Sequence, residues 1–260
     1  MDFTKLFPLP IVASSHGHEI DMVIYLVHAL MLLLFVGWGL FFIYTLFRFN
    51  KKAHPKADYV GVRSHMSSYL EIAVAVFEAA LLIGFSIPFW AKHVNAFPNR
   101  TDTVEVRVNA EQFAWNIHYP GADGKFGKAG VEFFDKQSNP MGLDPNDPAG
   151  KDDFTTINQL HLPIGRPAVI HLTSRDVIHS FSLPVMRVKQ DAIPGLSIQT
   201  WFTPTMTGKW EIACAQLCGL GHYRMKGFLT IHSEEEYQSW LEEQSSSLGG
   251  EDEGADDFWN

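Results

Sequence analysis

This chain has little cysteine, little net charge outside its final stretch, and no basic stripe. Two cysteines in 260 residues cannot frame a disulfide-stapled fold. Without clustered Lys and Arg on a folded face, a nucleic-acid partner is excluded. A cleavable leader is not evident either, because the first apolar run is long, begins late and lacks a basic lead. The 29 acids outnumber the 20 bases, for a formal charge of -9, yet ten of the acids follow Ser233 and no base does. Residues 1–233 therefore carry 20 bases against 19 acids, so the acidity belongs to a Ser/Gly/Glu/Asp-rich end that is expected to be partly disordered.

A mean hydropathy of -0.02 suggests an ordinary soluble protein, but it averages two long apolar runs with a polar remainder. Residues 22–47 form a run of 26 without a formal charge. As a helix the run spans about 39 Å, more than a bilayer core, so a tilted membrane span is expected. A second run of 20, residues 72–91, is broken only by Glu78 and ends in Pro88, Phe89 and Trp90, which suit an aromatic belt. Between the runs lie Arg48, Lys51, Lys52, Lys56 and Arg63 against one acid, Asp58. The excess of bases puts this loop, residues 48–68, in the cytoplasm and both termini outside. The expected organisation is an outer segment 1–21, a transmembrane hairpin 22–91, an outer domain 92–233, and an acidic helix and tail 234–260, helical over 234–244.

The outer domain alternates with period two. Val104, Val106 and Val108 form one stripe; Phe113, Trp115, Ile117 and Tyr119 form another. The pattern recurs at Ala168, Ile170 and Leu172, at Ile198, Thr200 and Phe202, and at Trp210, Ile212 and Cys214. Pro and Gly punctuate these runs, which reads as an all-β antiparallel sandwich or barrel. Residues 121–153, rich in Gly, Asp, Asn and Pro, read as a long inserted hairpin or loop.

Chemistry concentrates near the end of this domain. Cys214, Cys218, His222 and Met225 lie within twelve residues, with His179 about 35 residues upstream. Spacings of four could place both cysteines and His222 on one helical face, and a disulfide is a further reading. Gly219 and Gly221 favour instead a loop able to wrap a metal. Paired thiolates, imidazoles and a thioether suit copper, whereas structural zinc seldom recruits methionine. Two thiolates can bridge two copper ions, each completed by one imidazole and one weak ligand, Met225 or a backbone carbonyl. Such a pair is a one-electron relay rather than a hydrolytic centre.

The run Cys214-Ala-Gln-Leu-Cys218-Gly-Leu-Gly-His222-Tyr-Arg-Met225, with Asp176-Val-Ile-His179 and Lys189-Gln-Asp-Ala-Ile-Pro-Gly195 upstream, resembles subunit II of haem-copper cytochrome c oxidases. The resemblance covers nearly the whole chain: two membrane helices, a cupredoxin-like Greek-key domain, then a late ligand loop. It implies a dinuclear copper (CuA) site held by His179, Cys214, Cys218, His222, Met225 and the carbonyl of Gln216. It also implies partners: oxidase subunits I and III, a cytochrome c or a haem c subunit of a donor complex, and the bilayer of a bacterial inner membrane. Electrons would pass to haem in subunit I, where oxygen is reduced to water and protons are pumped. No Cys-x-x-Cys-His occurs, so no haem c domain is fused and haems belong to the partners.

Three positions depart from the family pattern. Gln216 stands where most members carry the Glu that lends its side chain to a Mg²⁺ shared with subunit I, so a charged magnesium ligand is lost. The family's Gln-Trp-x-Trp segment is Gln112-Phe113-Ala114-Trp115, so electrons would come in through Phe113, Trp115 or Tyr223 rather than the usual tryptophan. Leu196 replaces the Arg that commonly follows Ile-Pro-Gly. Glu71 matches the glutamate at the mouth of the family's proton pathway; otherwise it reads as an interfacial carboxylate. Glu78 lies deeper and is expected to face another subunit. His16, His18, His28, His54, His65 and His93 have no partner at metal spacing and read as interfacial or packing residues. A membrane-anchored copper chaperone is the competing function, but such proteins place their cysteines early, before a helix, and have one anchor.

Overall fold

The computed structural model describes residues 8–57, 59–61 and 63–247. Asp58 and the tail from 248, on which part of the charge and disorder reading fell, lie outside the described residues. The chain divides into a helical unit over residues 18–96 and a β unit of residues 10–17 and 97–247.

In the helical unit, α1 runs Gly17–Arg48, with Glu19 in its first turn and Arg48 in its last, each complementing the helix dipole. The second span is α2 (Met66–Leu81), a π turn (Leu82–Ser86) and α3 (Ile87–Asn95). It continues four residues past the expected end at Ala91 because Pro88 is absorbed rather than terminating. Pro88 has no N–H to give and its ring crowds the carbonyl four residues back, that of Gly84; the wide turn lies there, with the Ile87 N–H reaching Leu82 O. Both spans, of 32 and 30 residues, are long and apolar enough to cross a bilayer. Lys92 Nζ meets Glu19 Oε1 at 2.7 Å.

The β unit holds ten strands: β1 (Val104–Glu111), β2 (Ala114–Tyr119), β3 (Phe154–Ile157), β4 (Gln159–Pro163), β5 (Ala168–Ser174), β6 (His179–Leu183), β7 (Val188–Ala192), β8 (Ile198–Phe202), β9 (Gly208–Cys214) and β10 (Lys226–His232). Two five-stranded sheets result, ordered β3-β2-β1-β5-β8 and β4-β10-β9-β6-β7. The architecture is the cupredoxin-like sandwich, with one difference from an antiparallel reading. The pairs β1/β5 and β10/β4 are parallel, the signature of crossovers between the sheets. Between the sheets, Val106, Val108, Trp115, Ile117, Ile170, Leu172, Phe181, Phe202, Ile212 and Leu229 are fully buried.

Strand β1 alternates as its sequence demands, whereas β2 buries Asn116 and His118 as well as Trp115, Ile117 and Tyr119. The inserted segment covers the second face of β2. His118 Nε2 meets Asp153 Oδ2 at 2.6 Å, and its ring lies 5.1 Å from that of Phe126. The insertion has only short bridges, Ala129 with Leu143 and Asp135 with Asn139. Arg175 pins it by stacking on Phe134 at 3.8 Å and donating to Pro140 O. Phe113, expected in the β2 stripe, instead sits in the turn between β1 and β2.

Residues 10–17, expected to belong to a separate outer segment, dock on the β unit. The Ala13 N–H donates to Val185 O at 2.8 Å, the Thr205 N–H to Ala13 O at 2.9 Å, and Ser14 Oγ to Met186 O at 2.7 Å. The terminal helix α4 (Glu234–Ser247) starts with a reciprocal cap between Ser233 and Glu236, at 2.9 and 3.2 Å. Its Trp240 stacks on His161 with centroids 4.3 Å apart and planes within 3°.

Candidate metal centre

Strand β9 ends at Cys214, and the chain returns as β10 at Lys226, so the intervening residues close one end of the sandwich. They form a loop with a single 3-10 turn over His222–Arg224, not a helix face. The loop is held from within by His222 N–H to Gly219 O at 3.1 Å and Met225 N–H to His222 O at 3.2 Å. The Ala215 N–H ties it to Ser180 O on β6 at 2.9 Å. The Phe181–Cys214 pairing of β6 and β9 brings His179 beside the loop.

All six expected donors converge. Cys214 Sγ lies 3.8 Å from Cys218 Sγ, so the sulfurs are close but unbonded, against the disulfide reading. His179 Nδ1 is 3.9 Å from Cys214 Sγ and 3.2 Å from Met225 Sδ. His222 Nδ1 is 3.5 Å from Cys218 Sγ, Met225 Sδ is 3.7 Å from the same sulfur, and the Gln216 carbonyl is 3.2 Å from Cys214 Sγ. Among the described residues, His179, Cys214 and Cys218 are the group of His, Cys, Asp or Glu whose ligand atoms lie within 4.8 Å of one another. His179, Cys218 and Met225 are buried, while the Gln216 side chain is exposed. Burial first, then the neighbouring Cys214 thiol, pushes the metal-free Cys218 thiol up to about 12. A thiol held protonated in this way would ionise only if a cation took the proton's place.

Asp176 has a role that the ligand pattern alone did not reveal. Its Oδ1 accepts from His179 Nε2 at 2.9 Å and from the Val177 N–H at 2.7 Å, and its Oδ2 accepts from the Gln112 N–H at 2.7 Å. Partial burial works against its charge, but these hydrogen bonds hold the carboxyl below the usual carboxylate range. With Nε2 engaged, Nδ1 of His179 is left to face the sulfurs, the outer-shell pattern of metal-binding histidines. The available signal was a carboxylate three residues before the histidine.

The residues expected to receive electrons separate. Trp115 is fully buried, its ring 6.1 Å from that of His179, so it lies beside the cluster rather than on the surface. Tyr223 is 87% exposed, as is Leu220 at 96%. Phe113 is half-buried under the loop, where a Cβ on Gly221 would strike its ring. Glu71 and Glu78 are both exposed on α2.

Two apolar spans, a cupredoxin-like domain and a soft two-thiolate cluster on its end loop define a membrane-anchored copper protein. Residues 106–231 match the family described as cytochrome c oxidase subunit II, periplasmic domain. The alternative cytochrome c oxidase subunit 2 of Bradyrhizobium diazoefficiens is 34% identical over 239 residues, covering 92% of this chain and 84% of its own. The cytochrome c oxidase subunit 2 of Cereibacter sphaeroides is 31% identical over 215 residues, 78% of this chain and 69% of its own. A crystal structure of the periplasmic domain of subunit II of cytochrome oxidase from Bradyrhizobium japonicum aligns with a TM-score of 0.41 at 29% identity, over 56% of this chain and 95% of that one. The chain belongs to the cytochrome c oxidase subunit II family, and so is a component of a respiratory oxidase complex with a copper-binding domain on the outer side of a membrane.

Proposed function

We propose that this chain is the electron-accepting subunit of a proton-pumping haem-copper oxidase. It would take electrons from a c-type cytochrome, soluble or part of a donor complex, and pass them to haem in subunit I for oxygen reduction. The observation that carries the reading is the convergence of two thiols, two imidazoles, a thioether and an inward carbonyl at one end of the sandwich. These donors fit two copper ions better than one. Cys214, Cys218, His179, His222, Met225 and the Gln216 carbonyl would hold the pair. A sulfur-bridged copper pair supplies rapid one-electron transfer with little change of geometry.

The remaining roles fall to this chain's own side chains. Asp176 fixes the His179 ring, and Met225 keeps water from the buried side of the cluster. Tyr223 and Leu220 offer an apolar contact to a donor's haem edge, with Phe113 packed beneath. Gln216 brings no charge to a magnesium ion at the subunit I boundary. Subunits I and III would cover the spans, with Glu71 near the start of a proton path from the cytoplasm of a bacterium.

In the assembled oxidase, Cys218→Ser should reduce oxygen uptake driven by a reduced c-type cytochrome to background while the haem content stays normal. Undiminished uptake with one thiolate removed would contradict the reading.

A further inference from the structure

The two segments that carry the ligands, residues 176–179 and 214–225, come from different parts of the chain. One residue outside the ligand set, Gln112, is hydrogen-bonded to both, by its backbone to the first and by its side chain to the second. Gln112, in the turn between β1 and β2, gives its backbone N–H to Asp176 Oδ2 at 2.7 Å and its side-chain Nε2–H to the carbonyl of Cys218 at 2.6 Å. Asp176 in turn accepts from His179 Nε2 at 2.9 Å. Gln112 thus stands one hydrogen bond from the His179 side and one peptide from the Cys218–His222 side.

We propose that Gln112 is a positioning residue that locks the two ligand-bearing segments into one register and so sets the symmetry of the metal centre. The inference rests on the copper reading for its spectroscopic consequences, but the clamp itself is a property of the chain.

Packing supports the clamp independently of the hydrogen bonds. At Gly219, whose φ is +132°, an added Cβ would lie 2.5 Å from Gln112 Nε2 and 3.3 Å from the Phe113 ring. Gly221 likewise meets the ring of Phe113. The loop therefore lies directly on residues 112 and 113, and the two glycines permit that approach. The Cys218 carbonyl is aimed at Gln112 as its donor. A side chain without an N–H at position 112 leaves this half-buried carbonyl without that bond and frees the Cys218–Gly219 peptide to rotate. Turning that peptide moves Cys218 Sγ relative to Cys214 Sγ while leaving His179, still held by Asp176, in place. The two sides of the centre then become unequal.

Gln112→Met keeps the bulk of the side chain against Gly219 and deletes the donor; Gln112→Glu keeps the shape and sets an acceptor against the carbonyl. Two measurements on the full-length chain in detergent separate the clamp from the copper reading. Without metal, hydrogen exchange of amides 215–225 should be about tenfold faster in both variants, with strands β1 and β5 unchanged. With copper, loss of metal to a chelator should be about tenfold or more faster, and the hyperfine pattern should become less even between the two nuclei, as expected when an outer-shell partner is removed. Loop exchange, copper retention and hyperfine pattern all matching wild type in either folded variant would overturn the inference. A wild-type chain that takes up no copper pair, yet shows the exchange difference, would sink the proposed function and leave the clamp standing.

Discussion

The proposed ligand set could be named from the sequence because soft donors are rare in it. With two cysteines in 260 residues, both within five positions of each other, few arrangements were open. What could not be read was how the donors are aimed. Asp176 and Gln112 are ordinary polar residues until the fold brings them to His179 and Cys218, at sequence separations of 3 and 106. Phe113 was misplaced because alternation continues through a turn as easily as through a strand. Its true position makes a prediction at Gly221, which has φ of -90° and so no backbone need for glycine, only a need for space. Gly221→Ala should cost about 1–3 kcal/mol by overpacking against Phe113. Pairing it with Phe113→Leu should restore most of that loss. Denaturant unfolding of the full-length chain decides: an unaffected midpoint in the single variant would mean that the ring yields freely.

Among the elements, strands with strict alternation were legible, while β3, β4, β6, β7 and β10 were not singled out. They are short, or their inward positions include glycine, as at Gly227 of β10. Helix α4 was foreseen from composition, but its attachment depends on His161, His232 and Trp240, which no local pattern connects. His161 Nδ1 and His232 Nε2 are 2.8 Å apart, and burial first, then His232 and Lys209, lowers His161 to about 4. A folded value below the ordinary 6.5 means that the neutral ring's contribution is full above that pH and is lost as pH falls toward about 4. Amide protection of α4 should therefore decline between those limits in hydrogen-exchange measurements. His161→Phe should remove most of the decline; an identical decline in that variant would place the acid sensitivity elsewhere.

For the molecule as a whole, composition averages conceal the design and the apolar runs reveal it. The one large feature hidden from sequence is the return of residues 10–17 to the β unit, made by backbone bonds and by side chains, Ser14 and Arg187, that no local pattern connects. Its consequence is topological. The chain leaves the β unit at Gly17 and rejoins it at Phe97, so the two spans between make an even number of crossings. Together with the five bases in the loop between the spans, this leads us to propose that the loop faces the cytoplasm. A cysteine introduced at Ala53 should resist an impermeant thiol reagent added outside intact cells and react once the membrane is opened. Labelling from outside would reverse the topology.

The proposed electron-accepting role rests on Cys214 and Cys218 together holding two copper ions that would share one electron. The most direct measurement is metal content together with the electron paramagnetic resonance spectrum of the copper-loaded, full-length chain. Two copper ions per chain are expected, with a hyperfine pattern of one electron spread over two copper nuclei and loss of that pattern in either Cys214→Ser or Cys218→Ser. One copper per chain, or an electron localised on a single nucleus in the wild-type protein, would contradict it.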